Sequence, residues 1–159
     1  MTTRPFGAFN FNVRVALGDA EDPLCEAAFS ECSGLESTVG VKTIRAGGHN
    51  AGPIHLAGPV SYANLSLKRG MTTSFDLWRW FDQVLIDGER HRRATCEVEV
   101  LATDRSTAVF TVTLGRCLPV KLRAPTLNAT DGQVAIEEME IAYEVLTLRP
   151  AGGEVASRA

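Results

Sequence analysis

Two histidines in a glycine-rich segment are the side chains of this sequence best suited to bind a metal ion. His49 and His55 are separated by five residues, and a zinc site needs further His, Cys, Asp or Glu ligands at a suitable spacing. No third ligand stands at such a spacing, and two loop histidines are more often simply hydrated. We therefore expect no metal site and no cofactor.

Four cysteines offer a second kind of chemistry, nucleophilic or redox. Cys25, Cys32, Cys96 and Cys117 include no C-x-x-C pair and are too few for a disulfide scaffold in a chain of this length. We expect reduced, partly buried thiols. A cysteine–histidine nucleophile pair stays formally open, although nothing in the spacing selects one.

Carboxylates along the segment 134–148 offer a third kind of chemistry. Glu138, Glu140 and Glu144 alternate with apolar residues and share one face of a predicted strand. The opposite, core face carries Met139, Ile141, Tyr143 and Val145. Acid–base catalysis would require surroundings that shift the pKa of a glutamate, and alternation alone predicts none. The chain also lacks a G-x-S-x-G elbow, a P-loop and a G-x-G-x-x-G motif, so we expect a binding or structural protein and no enzyme.

Alternation of apolar and polar residues predicts a mainly β protein that would position these side chains. The predicted strands are residues 9–17, 27–32, 37–44, 61–68, 94–102, 107–114 and 134–148. The pair 94–102 and 107–114 is predicted to form a hairpin around the turn 103–106. Residues 118–121 could add a short strand, and 125–132 are predicted to be irregular.

One segment has helical periodicity. Ser74–Asp87 is predicted to be the one substantial helix, starting at a capping box formed by Thr73 and Asp76. Trp80 lies off the predicted apolar stripe, either at the edge of the core or as a contact for another chain. The predicted core face of the helix consists of Leu77, Trp78, Phe81, Val84 and Leu85.

A fifteen-residue segment, 45–59, separates two predicted strands and is rich in glycine and proline. Tight hairpins use about two to five residues, and longer loops in compact domains are usually functional or disordered. We therefore predict that this segment is the leading functional element.

The overall composition is that of an ordinary globular domain, with 45% hydrophobic and 22% charged residues among 159 and a formal net charge of −3. We predict one domain over 1–148 and a disordered tail over 149–159. The balanced charge argues against specific nucleic-acid binding, and no apolar run suggests a membrane anchor or a signal peptide. We expect synthesis and assembly in the cytoplasm.

Eight motifs follow one another along the chain. They are F-x-F-x-V at Phe9–Val13, F-S-E-C-S-G-L-E at Phe29–Glu36, R-x-G-G-x-N at Arg45–Asn50, N-L-S-L-K-R-G-M-T at Asn64–Thr72, D-L-W-x-W at Asp76–Trp80, L-P-V-K at Leu118–Lys121, P-x-L-N-A at Pro125–Ala129 and V-A-I-E-E-M-E-I-A-Y-E at Val134–Glu144. This series resembles the inner tube protein of contractile phage tails and of phage tail-like injection systems.

The resemblance implies a β-barrel- or sandwich-like tube subunit with one amphipathic helix and a long extended β-hairpin loop. It implies hexameric rings that stack into a rigid hollow tube inside a contractile sheath. Sheath contraction would drive the tube, with its cargo, through a target envelope. The partners would be further copies of the chain, the sheath protein, baseplate and spike proteins, and protein cargo in the lumen.

The resemblance also suggests roles for particular residues. The carboxylates of Glu138, Glu140 and Glu144 would point into the lumen or toward a subunit boundary. A loop reaching the neighbouring ring would contribute Arg45, Gly47, Gly48, Asn50, Ile54, Leu56 and Gly58.

Several alternatives stay open at this point. The chain could form the repeating shaft or a single tube-initiating adaptor ring between the spike and the tube. It could belong to a phage tail or to an injection system released from the cell. A small-ligand-binding β-barrel is the alternative from a different class.

Overall fold

The computed structural model describes residue 7 and residues 10–18, 23–48, 51–85, 92–130 and 132–152. These residues form ten β-strands and one α-helix. In chain order the elements are β1 Phe11–Leu17, β2 Cys25–Ala27, β3 Glu31–Ser33, β4 Ser37–Ile44, β5 Ile54–Tyr62, β6 Leu65–Gly70, α1 Asp76–Leu85, β7 Ala94–Leu101, β8 Ala108–Arg123, β9 Ile136–Ala142 and β10 Val145–Pro150. The predicted class, mainly β with one helix and one long hairpin, is confirmed.

Eight strands form one antiparallel sheet, in which seven follow the order β2-β1-β7-β8-β9-β6-β3 and the eighth, β10, pairs with β8 off this path. The 16-residue strand β8 joins the two halves of this sheet. Its first part pairs with β7 and β10, and its last part pairs with β9. We call β2, β1, β7 and β10 with the first part of β8 the first half-sheet, and β3, β6 and β9 with the last part of β8 the second half-sheet.

The core lies on the inner faces of both half-sheets and under α1. Alternate residues point inward because successive side chains of a strand face opposite sides. Examples are Val13 and Val15 in β1, Leu65 and Leu67 in β6, and Met139 and Ile141 in β9, all fully buried.

Three predicted strands are each divided into two in the structure, and the predicted strand 107–114 continues as β8 to Arg123. Residues 27–32 are divided between β2 and β3, and the predicted strand 61–68 is divided between β5 and β6 by Ala63 and Asn64. Residues 134–148 are divided between β9 and β10, because Arg116 of the facing strand has a left-handed backbone with φ 55° and interrupts the ladder there. Beyond this break Val145 is 42% exposed, so its predicted core position is wrong.

The helix is shorter than predicted and turned differently. It begins at Asp76, whose carboxylate accepts a hydrogen bond from the backbone N–H of Leu77 at 2.9 Å, so the start is not the predicted capping box on Thr73. The last described helical residue, Leu85, is 54% exposed, so its predicted core position is wrong. Trp80 is buried and Trp78 is only half-buried. The buried stripe consists of Leu77, Trp80, Phe81 and Val84, at the i, i+3, i+4, i+7 spacing of one helical face.

The predicted tail begins too early, because β10 runs through Pro150. Residues 153–159 lie outside the described part of the chain, and the single-domain boundary at 148 stays a prediction. Among the described residues, no helix is long and apolar enough to cross a membrane.

Candidate assembly surfaces

Strands β4 and β5 form a two-stranded hairpin that pairs with no other strand of the described chain. Its register runs from Ser37 opposite Tyr62 to Ile44 opposite Ile54, with one irregularity after Val39. At that irregularity Gly58 approaches Gly40 so closely that an added Cβ would lie 2.9 Å from the carbonyl oxygen. An isolated two-stranded hairpin is marginally stable in water, so a second surface packed against this hairpin would add to its stability.

The predicted fifteen-residue loop, 45–59, is partly a strand, because its residues 54–59 belong to β5. Ile54, Leu56 and Gly58 lie in β5, and Arg45, Gly47 and Gly48 lie in the connection at the tip. Asn50, like His49, lies outside the described residues. His55 is exposed in β5, where its Nδ1 is 3.2 Å from the hydroxyl of Thr43.

The base of the hairpin is held by Tyr143, which lies in the break between β9 and β10. Its hydroxyl donates to the carbonyl of Gly34 at 2.8 Å and accepts from the N–H of Glu36 at 3.3 Å. Its ring lies 5.2 Å, centroid to centroid, from the ring of Tyr62. Gly34 is required at this base, because its φ is +90° and a Cβ would lie 1.9 Å from the carbonyl oxygen of Asn64. The hairpin thus leaves the sheet from a fixed point.

The three glutamates of the predicted acidic face are all ion-paired. Glu138 pairs with Arg123 at 3.2 Å, Glu140 with Lys121 at 2.8 Å, and Glu144 with Arg116 at 2.6 Å. The hydrogen bond from Lys121 is the main cause that lowers the pKa of Glu140. The face is therefore lined by alternating charges and is not a purely acidic one, because sequence alternation within one strand does not reveal the basic residues of the strand beside it.

Beneath the helix lies a buried charged cluster that the sequence patterns did not predict. The guanidinium of Arg69 donates to the carboxylate of Glu137 at 2.6 Å, donates to that of Asp76, and stacks 5.4 Å over the ring of Phe29. Trp78 donates its indole N–H to the second oxygen of Glu137 at 2.9 Å. These contacts join β6, β9 and the start of α1.

The contacts within this cluster shift the pKa values of Asp76 and Arg69. Burial on its own would raise the pKa of Asp76, but the hydrogen bonds and charge of Arg69, with the hydrogen bonds from Cys25 and the N–H of Leu77, together hold that pKa below its ordinary value. Burial alone would lower the pKa of Arg69, and its bonds to Asp76 and Glu137 raise it instead. Both groups therefore stay charged at neutral pH.

The four thiols lie in or against the core. Burial raises the pKa of Cys25 to about 12 and those of Cys32 and Cys117 to about 11, and it also raises that of Cys96. Thiols with such values are poor nucleophiles at neutral pH because the thiolate is the reactive form. No group of three metal-ligating side chains occurs in the described part of the chain.

A second polar face, also missed in the sequence, covers the outside of the first half-sheet. Arg14 lies opposite Glu97, and Glu99 lies between Asn12 and Thr111 across three strands. A shallow hollow of about 330 Å³ opens on this face and is lined mainly by charged and hydroxyl side chains. Such lining suits water and polar contacts more than a drug-sized apolar ligand.

These features define a class of protein: an antiparallel β-sheet protein with two polar outer faces and a hairpin that pairs with no other strand of the described residues. Residues 7–147 match the family of the T4-like virus tail tube protein gp19. The chain belongs to this tail tube protein family. No curated protein shows significant similarity to the sequence.

Solved structures agree with this family. A chain of the anti-feeding prophage baseplate, six-fold symmetrised, is 29% identical with a TM-score of 0.81, over 96% of this chain and 100% of that chain. A chain of the sheath–tube complex of PVC, an extracellular contractile injection system in the extended state, is 17% identical with a TM-score of 0.77, over 94% of both chains. A chain of the anti-feeding prophage tube-terminating cap is 16% identical with a TM-score of 0.77, also over 94% of both chains.

Proposed function

We propose that this chain forms hexameric rings that stack into the hollow inner tube of a contractile injection system. The observation that carries the proposal is the tail tube family match over residues 7–147, combined with a projecting hairpin that pairs with no other strand among the described residues. A ring of subunits can close a sheet on itself and so remove the free strand edges that invite aggregation. Cytoplasmic assembly belongs to this proposal.

The hairpin β4–β5 is the proposed contact between rings. Its apolar side chains are exposed on an element that is tethered rigidly at Tyr143 and Gly34. Val41, at 64% exposure, is an example of a residue that another subunit would cover. Arg45, Gly47, Gly48 and Asn50 at the tip, together with Ile54, Leu56 and Gly58, would supply this contact.

The ion-paired face of Glu138, Glu140 and Glu144 is the proposed lumen lining. Alternating charges repeated around a ring would hold neither polyanions nor polycations strongly, so cargo could pass without adhesion. The exposed side of α1, with Arg79 and Asp82, would then face outward toward a sheath. The role is structural, with protein cargo in the lumen and with no specific nucleic-acid binding.

A second candidate function is a single initiating ring at the baseplate end of the tube. The observation that favours it is that the identity is 29% to a chain of the anti-feeding prophage baseplate and 16% to a chain of the cap of the same particle. An initiating ring would stack with the spike on one side and with a paralogous tube subunit on the other.

The mass and shape of the purified full-length protein test both proposals. Native mass spectrometry should give six times the chain mass, and electron microscopy should give tubes for a shaft protein or single rings for an initiator. In a shortened variant, an Asn-Gly turn replaces residues 42–56 and joins the paired residues Val41 and Ala57. This variant should still fold and form rings but should not stack. A stable monomer would contradict ring formation, and normal tube growth by the shortened variant would contradict the role of the hairpin.

A further inference from the structure

Most exposed large apolar side chains of the described residues fall into two groups. The first group lies on the hairpin and consists of Val39, Val41, Ile44, Leu56 and Val60. The second group, which we call the arm patch, consists of Met71 and Phe75 after β6 and of Leu127, Val134 and Ile136 before β9. Leu127 at 89% and Val134 at 75% are the most exposed of all these side chains. Large apolar side chains that are this exposed, in a protein whose other apolar side chains form a buried core, indicate a contact surface.

The arm patch is held in place by the end of the second half-sheet. The N–H of Met71 donates to the carbonyl of Ala135 at 2.9 Å, and Val134 lies against Gly70. Asn128 stabilises the turn of the irregular segment by accepting from the N–H of Thr130 at 3.1 Å. A hollow of about 500 Å³ is open beside the patch and is lined by Thr126, Leu127, Asn128, Ala129, Gln133 and Ala135.

The hairpin and the arm patch stand at opposite ends of the second half-sheet. The hairpin joins β6 at Leu65, which pairs with Ile141, whereas the arm patch adjoins Gly70, which pairs with Ile136. At about 3.3 Å per residue these two ends are about 17 Å apart. A projecting element at one end and a complementary surface at the other end produce a head-to-tail contact, which repeats from copy to copy without self-complementarity.

The charges of the two segments are complementary. Residues 37–62 contain Lys42 and Arg45 and no acidic residue, whereas residues 124–136 contain Asp131 and no basic residue. Opposite charges on two segments that meet in an apolar contact favour one partner and one orientation.

We propose that the arm patch is the surface that receives the β4–β5 hairpin of another copy of this chain in the adjacent ring. This inference rests on the proposed ring-forming function and names the second half of its stacking contact. Leu127 and Val134 would cover the exposed valines of the incoming hairpin, and the open hollow would admit its tip.

Cross-linking in assembled particles tests the contact directly. A benzophenone amino acid in place of Leu127, in a mixture of ¹⁵N-labelled and unlabelled full-length protein, should cross-link to peptides from residues 37–62 of a differently labelled copy. The same probe in place of Leu148, which is exposed but outside both groups, should not reach that segment. Cross-links from position 127 that stay within one copy, or that reach another segment, would overturn the inference.

A stacking assay separates this inference from the function on which it rests. The double variant Leu127→Ser, Val134→Ser should give rings of unchanged mass and should reduce the mean number of rings per tube about tenfold or more. The matched control is Leu148→Ser, which should stack like the unchanged protein. Rings that stack normally in the double variant would overturn the inference alone. Unchanged protein that forms rings and never stacks would overturn both the inference and the repeating-shaft function, and would leave the initiating ring. Unchanged protein that forms no rings would overturn the proposed function and the inference together.

Discussion

At the scale of single residues, the buried pair of Arg69 and Asp76 fixes where the helix begins. Arg69 is almost fully buried, and a buried cation left without partners is strongly destabilising. Asp76 also accepts the N–H of Leu77 at the positive end of the helix dipole. We expect Asp76→Asn to lower the free energy of unfolding by about 1–3 kcal/mol at pH 7, because charge-assisted hydrogen bonds contribute about that much.

The same substitution should change how stability depends on pH. The folded-state pKa of Asp76 is lowered, so its contribution is fully present above the unfolded value of about 3.9 and is lost as the pH falls through the folded value. Urea unfolding at pH 7 and at pH 3 should therefore show a smaller loss for Asp76→Asn than for the unchanged protein. Asp82→Asn, on the exposed side of the same helix, is the control and should behave like the unchanged protein. Equal acid sensitivity of Asp76→Asn and the unchanged protein would contradict this assignment.

At the scale of elements, the orientation of α1 makes Trp80 the main anchor of the helix. Trp80 is buried in the core, whereas Trp78 lies at its border and bonds to Glu137. We expect Trp80→Ala to cost about 3–5 kcal/mol in chemical denaturation and Trp78→Phe, which removes the indole N–H, to cost about 1–3 kcal/mol. Leu85→Ala is the control at an exposed helix position and should change stability by about 0.5 kcal/mol or less. A larger loss for Trp78→Phe than for Trp80→Ala would show that the helix is turned the other way.

Local sequence patterns are sufficient to predict the bounds of some elements. The bounds of β4, Ser37–Ile44, and the hairpin of β7 and β8 follow from alternation and turn residues alone. The orientation of α1 does not, because the partners that set it, Arg69 and Glu137, come from β6 and β9. The division of 134–148 depends on the backbone conformation of Arg116 in the facing strand. The periodicity of residues 134–148 contains no information about that conformation.

At the scale of the whole molecule, the charge of the ion-paired face could not be predicted from one segment either, because it depends on residues of two strands. Alternation placed Glu138 and Glu140 on one face of β9, whereas Glu144 lies beyond the end of this strand, and the net charge of the face depends on register with β8. Lys121 and Arg123 face Glu140 and Glu138 because β8 is irregular between Pro119 and Lys121. The face that the sequence predicts to be acidic is therefore locally balanced in charge, and its electrostatic behaviour in a ring would depend on these ion pairs.

This balance makes the lumen assignment testable in assembled tubes. Glu140→Lys should place an unpaired cation beside Lys121 in every subunit, and a basic ring inside a tube should retain nucleic acid through contacts with phosphates. We expect the ultraviolet spectrum of purified Glu140→Lys tubes to show nucleic acid that survives nuclease treatment, because a lumen would shield it. The exchanged pair Lys121→Glu, Glu140→Lys keeps both the ion pair and the net charge, so it should carry none. Nucleic acid that nuclease removes completely from Glu140→Lys tubes would place this face on the outside, since only enclosed strands are protected by the wall of the tube.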